Sequence, residues 1–119
     1  MSKILNMLMA FVMSFGILGS NVNPSDIPEN SNFEVHFIDV GQADSALIEC
    51  DGETMMIDGG NVADSNVVAA YLKKEDVTEL NYVVCSHAHE DHVGGLSGAL
   101  SVTKADNIYA PKTEANTKA

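Results

Sequence analysis

The sequence predicts an α/β fold. Three observations lead to it. Runs rich in aromatic and β-branched residues stand at 33–40, 45–50 and 80–86. The dipeptide Asp51-Gly52 between two such runs is a hairpin signal. A segment of helical period lies between the hairpin and the next strand. The order is strand, hairpin, helix, strand, helix, strand, which is the mixed pattern of that class.

Each element has its own local reason. Residues 33–40 form the first strand, and residues 41–44 form the turn after it. Residues 45–50 and 53–57 pair across Asp51-Gly52, and Gly59-Gly60 ends the second of them. Asp64 or Ser65 can cap a helix running to Lys74. Val67, Val68, Tyr71 and Leu72 fall on one face of it, and Lys73 and Lys74 suit the negative end of its dipole. Residues 80–86 form the next strand. Gly94 or Gly95 opens a short helix containing Leu96 and Leu100, and residues 107–110 form a last strand closed by Pro111.

The segment Ser86-His87-Ala88-His89-Glu90-Asp91-His92-Val93-Gly94-Gly95 carries the chemistry. It directly follows an apolar run, Tyr82-Val83-Val84-Cys85, and brings together three histidines and Asp91, all metal-ligand types. On extended backbone His87 and His89 point the same way and can grip one ion. Asp91 and His92 are adjacent, project differently and can reach a neighbouring ion. The glycine pair permits a tight turn beneath the site. Glu90 reads as a solvated loop residue. His36, within the first strand, reads as an ordinary surface or satisfied core histidine. Cys50 and Cys85 read as small buried hydrophobes.

The pattern His87, His89, Asp91, His92 resembles the signature of the metallo-β-lactamase superfamily. Two upstream stretches extend the likeness. Phe37-Ile38-Asp39-Val40-Gly41-Gln42-Ala43-Asp44-Ser45 resembles the opening strand and turn of the hydrolase domain of ComEC-type competence (DNA-internalisation) proteins and their stand-alone exported relatives. Ala43 departs from that branch, which usually has glycine there. Met56-Ile57-Asp58-Gly59-Gly60 resembles the superfamily's strand-end Asp-Gly-Gly. The resemblance covers residues 33–112 and implies an αββα sandwich with the metal site at one edge of the paired sheets.

That domain is about twice as long as this chain. Its later half supplies a second sheet and further ligands, whereas no histidine follows His92 here. The sequence is therefore read as the first half only, an N-terminal fragment of a longer hydrolase, with a half-domain that pairs with another chain as the alternative. The resemblance implies two zinc ions about 3.5–4 Å apart. His87 and His89 would hold the first, Asp91 and His92 the second. A metal-bound hydroxide would attack the substrate, with Asp91 as the catalytic residue that orients it. Asp58 would support the ligands through hydrogen bonds. Asp39, Gln42 and Asp44 belong to the branch motif and can line the same edge, with no chemical step assigned to them.

Composition limits the substrate. The chain has 119 residues, 45% of them apolar, enough for one small core. Its net charge of −11, from 17 acidic and 6 basic residues, repels polyanions and argues against a nuclease. Residues 1–20, with one lysine before the apolar stretch from Ile4 to Leu18, have the pattern of a signal peptide and are short for a stable membrane span. A retained N-terminal anchor is the alternative. Residues 21–32, with Pro24 and Pro28, read as a linker, and residues 33–119 as the hydrolase portion. The expectation is a secreted or cell-envelope hydrolase acting on a phosphodiester of a small molecule or of envelope material. DNA, cut by a competence-type nuclease, is one alternative. A non-catalytic metal-binding or interaction module is the other. The 119-residue chain alone is expected to be inactive.

Overall fold

A computed structural model describes residues 30–112. The expected signal peptide, residues 21–29 of the expected linker and the last seven residues lie outside the described residues. Strands β1 (Phe33–Phe37), β2 (Ala46–Cys50), β3 (Glu53–Ile57), β4 (Glu79–Val84) and β5 (Lys104–Tyr109) form one sheet in that order. The first three are antiparallel neighbours, and β3, β4 and β5 are parallel. The change of direction follows from the connections. A two-residue turn can only reverse the chain, whereas a helix can carry it back to start a parallel strand. The turn is Asp51 (φ 50°) and Gly52 (φ 86°), the left-handed pair that a tight hairpin requires.

Helix α1 (Ser65–Lys74) crosses from β3 to β4. A single turn, α2 (Glu90–Val93), and helix α3 (Leu96–Val102) cross from β4 to β5. Both crossovers step the same way along the sheet, so right-handed connections put α1 and α3 on one face. They pack against each other there. The main core lies beneath them: Leu47, Met56, Val68, Leu72, Leu80, Val83 and Ala99 are fully enclosed. Ile38 and Val40, just past the end of β1, join it, although their backbone is no longer paired as a strand. Helix α1 buries Val68 and Leu72 and half-buries Tyr71, while Val67 faces solvent, so the apolar stripe is narrower than its sequence suggests. The helix ends at a left-handed Asp76 (φ 56°), with the Val77 N–H donating to the Leu72 carbonyl at 2.9 Å and the Asp76 N–H to that of Lys73 at 3.2 Å. Those bonds close the last carbonyls that a helix leaves open.

The opposite face of the sheet carries a smaller cluster, Ile48, Cys50 and Met55, flanked by Ile57, Tyr82 and Val84. Cross-strand neighbours extend it outward: Val35 beside Ile48, Phe33 beside Cys50 and Tyr109 beside Val84. Val35 and Tyr109 are 41% and 55% exposed, so no second layer covers this face among the described residues. The two cysteines belong to different cores on opposite faces and are not bonded to each other. The result is half of an α/β sandwich: one mixed sheet with helices on one side. Among the described residues, no helix is long and apolar enough to cross a membrane.

Candidate metal centre

Parallel strands β3 and β4 end side by side, with Ile57 opposite Val84. Asp58 leaves the end of one, and Cys85 and Ser86 leave the end of the other. Asp58 is 3% exposed and left-handed (φ 56°), a conformation that aspartate tolerates better than most side chains. Its own N–H donates to the Val84 carbonyl at 2.9 Å. Its carboxylate accepts the Ser86 N–H at 2.8 Å and the Ser86 hydroxyl at 2.5 Å. It also lies 2.8 Å from His92 Nδ1. A carboxylate on Nδ1 leaves Nε2 of that ring as the atom turned to a ligand, the arrangement that orients metal-binding histidines.

Backbone bonds bring the other loops to the same point. Gly59 N–H donates to the His92 carbonyl at 2.7 Å, Gly60 N–H to that of Asp44 at 2.9 Å, and Gly95 N–H to that of Gly60 at 2.9 Å. The Asp58-Gly59-Gly60 segment thus holds the β1–β2 turn on one side and the histidine loop on the other. The loop is bent from Ser86 onward, not extended, and α2 begins at Glu90. His89 stands at the N-cap of that turn, and its backbone carbonyl accepts the N–H of His92 at 3.1 Å and of Val93 at 3.0 Å. Wrapping Asp91 and His92 into a helical turn brings them back toward His87.

Ligand atoms of His87, Asp91 and His92 lie within 4.8 Å of one another. The rings of His87 and His92 are 3.8 Å apart, tilted by 49°. His89 stands outside that trio, its ring meeting the His87 ring edge-on at 4.8 Å. Asp91 is half-exposed and its carboxylate is 3.7 Å from His92 Nε2. Asp44 reaches the same nitrogen at 3.7 Å from the other side. Two imidazoles and a carboxylate, converging at the mouth of a sheet and backed by a buried aspartate, fit a divalent cation such as zinc.

Sequence reasoning assigned no role in the site to four contributors. Asp44 has no local signature beyond its place in the Asp39-to-Ser45 stretch, because its approach depends on the Gly60 bond. Ser86 joins Asp58 to the His87 ring, its hydroxyl lying 3.0 Å from His87 Nδ1. The Cys85 thiol donates to the His87 carbonyl at 3.1 Å. Burial raises the pKa of that thiol and the Asp58 charge raises it further, so it remains a protonated donor rather than a thiolate ligand. Glu90 is no idle loop residue: its carboxylate accepts the Val62 N–H at 2.7 Å and ties α2 to the short turn Val62–Asp64. Asp64 does not cap α1; its side chain accepts the Asn61 N–H at 2.8 Å and closes that turn instead. Ala43 lies outside the left-handed region and packs against the main core, so the turn needs no glycine there.

Solved structures share this arrangement of strands and helices. The metallo-β-lactamase SMB-1, bound to 2-mercaptoethanesulfonate, is 27% identical with a TM-score of 0.53, over 61% of this chain and 29% of that one. Two others support the fold alone. A Cronobacter sakazakii metallo-β-lactamase is 20% identical with a TM-score of 0.54, over 61% of this chain and 29% of that one. MEM-A1, a subclass B3 metallo-β-lactamase isolated from a soil metagenome library, is 22% identical with a TM-score of 0.54, over 67% of this chain and 32% of that one. This chain therefore spans about a third of the length of the structures it matches. No curated protein matches it significantly. The family model of the metallo-beta-lactamase superfamily aligns with residues 38–118, well over half of the sequence and all of the histidine loop, and the chain belongs to that superfamily.

Proposed function

We propose that this chain is the metal-holding half of an exported hydrolase that cleaves phosphodiesters. The observation that carries the reading is the Asp58–His92 contact at 2.8 Å, which aims His92 Nε2 at the point where His87 and Asp91 converge. Nothing in a simple surface loop would bury a carboxylate to orient one histidine. His87, His89, Asp91 and His92 are the residues proposed to hold up to two zinc ions. Bound zinc supplies a water of lowered pKa and stabilises negative charge developing on the substrate. The chain's own residues bind and orient. Asp91, open to solvent on one side, accepts a hydrogen bond from a water entering the site and fixes its direction. Asp44 presents a second carboxylate across the same mouth. Cys85 and Ser86 hold the His87 backbone and ring in place.

The substrate class rests on the likeness of residues 37–45 to the competence-type branch. The acidic charge and the expected signal peptide favour small or envelope-borne phosphodiesters over DNA. Hydrolysis of β-lactams is the second reading, because the structural neighbours are β-lactamases by name. We further infer that the working unit includes a second layer of sheet. Two features support this: the exposed apolar face around Val35 and Tyr109, and the small share of the neighbour, 29%, that the match covers. Three or four ligands shared between two ions fall short of the three per ion usual at catalytic zinc. The 119-residue chain alone is therefore expected to be silent.

The test is turnover by a form lengthened at its C-terminus to the size of the family domain. It is expected to hydrolyse bis(p-nitrophenyl) phosphate faster than nitrocefin. In it, Asp91→Asn is expected to lower kcat about a hundredfold or more. Rapid nitrocefin turnover with none of the phosphodiester would reverse the substrate assignment. Full activity in Asp91→Asn would remove the residue from the mechanism.

A further inference from the structure

The first strand, at an edge of the sheet, carries a second group of ligand-type side chains. Glu34 and Glu49 are direct cross-strand partners on β1 and β2. Like charges placed opposite each other in an antiparallel pair repel. Among the described residues no lysine forms an ion pair with either of them. His36, two residues along β1, stands on the same face of the strand as Glu34.

The His36 ring is held from behind. Its Nδ1 lies 2.9 Å from the Tyr71 hydroxyl of α1, and the two rings meet edge-on at 5.9 Å. Its Nε2 is enclosed and has no hydrogen-bond partner among the described residues. Glu34 comes nearest, at 3.6 Å, beyond hydrogen-bond distance. A buried ring nitrogen without a partner is costly to leave so. Ligand atoms from Glu34, His36 and Glu49 lie within 4.8 Å of one another. Three features thus meet at one place: among the described residues, an imidazole nitrogen without a hydrogen-bond partner and two carboxylates without a lysine in ion-pair range, together with a hydroxyl that fixes the ring by its other nitrogen.

We propose that Glu34, His36 and Glu49 form a divalent-cation site, separate from the histidine loop, that pins the edge strand β1 to β2. One imidazole and two carboxylates are a ligand set that zinc accepts, leaving a fourth position for water. Tyr71 is the positioning residue, setting the ring as outer hydrogen-bond partners do for metal-bound histidines. The cation would relieve the repulsion between the two glutamates and give Nε2 its missing partner. The competing explanation is that the two carboxylates only make an edge strand unattractive to other chains.

The experiment uses the full 119-residue chain and zinc alone as the probe. Imidazole resonances of the four histidines are followed by nitrogen–proton correlation spectra during the titration. His36 is expected to respond with saturable binding at Nε2, independently of His87, His89 and His92. Glu49→Gln is expected to weaken that response about tenfold or more, and His36→Gln to lower the bound zinc by one ion per chain. Glu49→Gln should unfold at a higher temperature than wild type without metal, since it removes a like-charge contact, so its lost binding cannot be put down to misfolding. A His36 signal indifferent to zinc while the loop histidines respond would overturn the proposal, as would unchanged zinc content in His36→Gln. Equal zinc affinity in wild type and Glu49→Gln would leave the edge-protection explanation standing in its place.

Discussion

Asp58→Ala is expected to destabilise the chain by about 3 kcal/mol and to free the histidine loop. The buried carboxylate serves three donors at once, the Ser86 amide, the Ser86 hydroxyl and His92 Nδ1. Removing it takes the shared acceptor from all three part-buried bonds at once. Alanine must also hold the left-handed backbone of position 58, which adds about 1 kcal/mol. Asp58→Asn keeps the shape and tolerates that backbone, so its loss should be smaller. Denaturant unfolding of the three proteins gives the comparison. A cost below about 0.5 kcal/mol for alanine, the level of an ordinary surface change, would mean that the network is not formed.

Gly95→Ala should cost about as much, for a different reason. A Cβ at position 95 would lie 1.8 Å from the Gly59 carbonyl oxygen, inside any allowed contact. The backbones of the Asp58-Gly59-Gly60 segment and the Gly94-Gly95 pair would have to separate, straining the bond from Gly95 to Gly60 and the one from Gly59 to His92. Forced overpacking of this kind costs about 3 kcal/mol. Gly95 itself has an ordinary right-handed backbone (φ −79°), so close approach and not a tight turn is what requires glycine there. Gly41→Ala is the control. It meets nothing within 4 Å but must hold φ +66°, so about 1 kcal/mol of backbone strain is its whole effect. Equal losses in the two variants would show that crowding at Gly95 is not the cause.

The strands and α1 were legible because each has a strong local reason. The Asp51-Gly52 turn, the β3 span Glu53–Ile57 and the Lys74 end of α1 all lie where residue type alone puts them. The single turn α2 was not legible. It is four residues long and has no apolar period. The start of β5, Lys104 to Asn107, is polar and mostly exposed, so only its apolar end announced a strand. That ligand-type side chains gather in this loop was readable from the histidine spacing, but how they group was not. Extended backbone would pair His87 with His89, whereas the helical turn at Glu90 sets His87 beside Asp91 and His92. The approach of Asp44 and the lack of a partner at His36 Nε2 are tertiary facts. They depend on a backbone bond from Gly60 and on Tyr71 of a helix 35 residues away, and neither leaves a mark in local sequence.

The claim on which the functional reading depends is that the loop after β4 holds metal. Zinc bound per chain, measured by elemental analysis after equilibrium dialysis, tests it directly. The measurement is made in the His36→Gln background so that the edge-strand site does not contribute. The chain is expected to retain zinc, and to lose it when His87→Ala and His92→Ala are added. Zinc content that is the same with and without those two histidines would contradict the assignment of the metal centre.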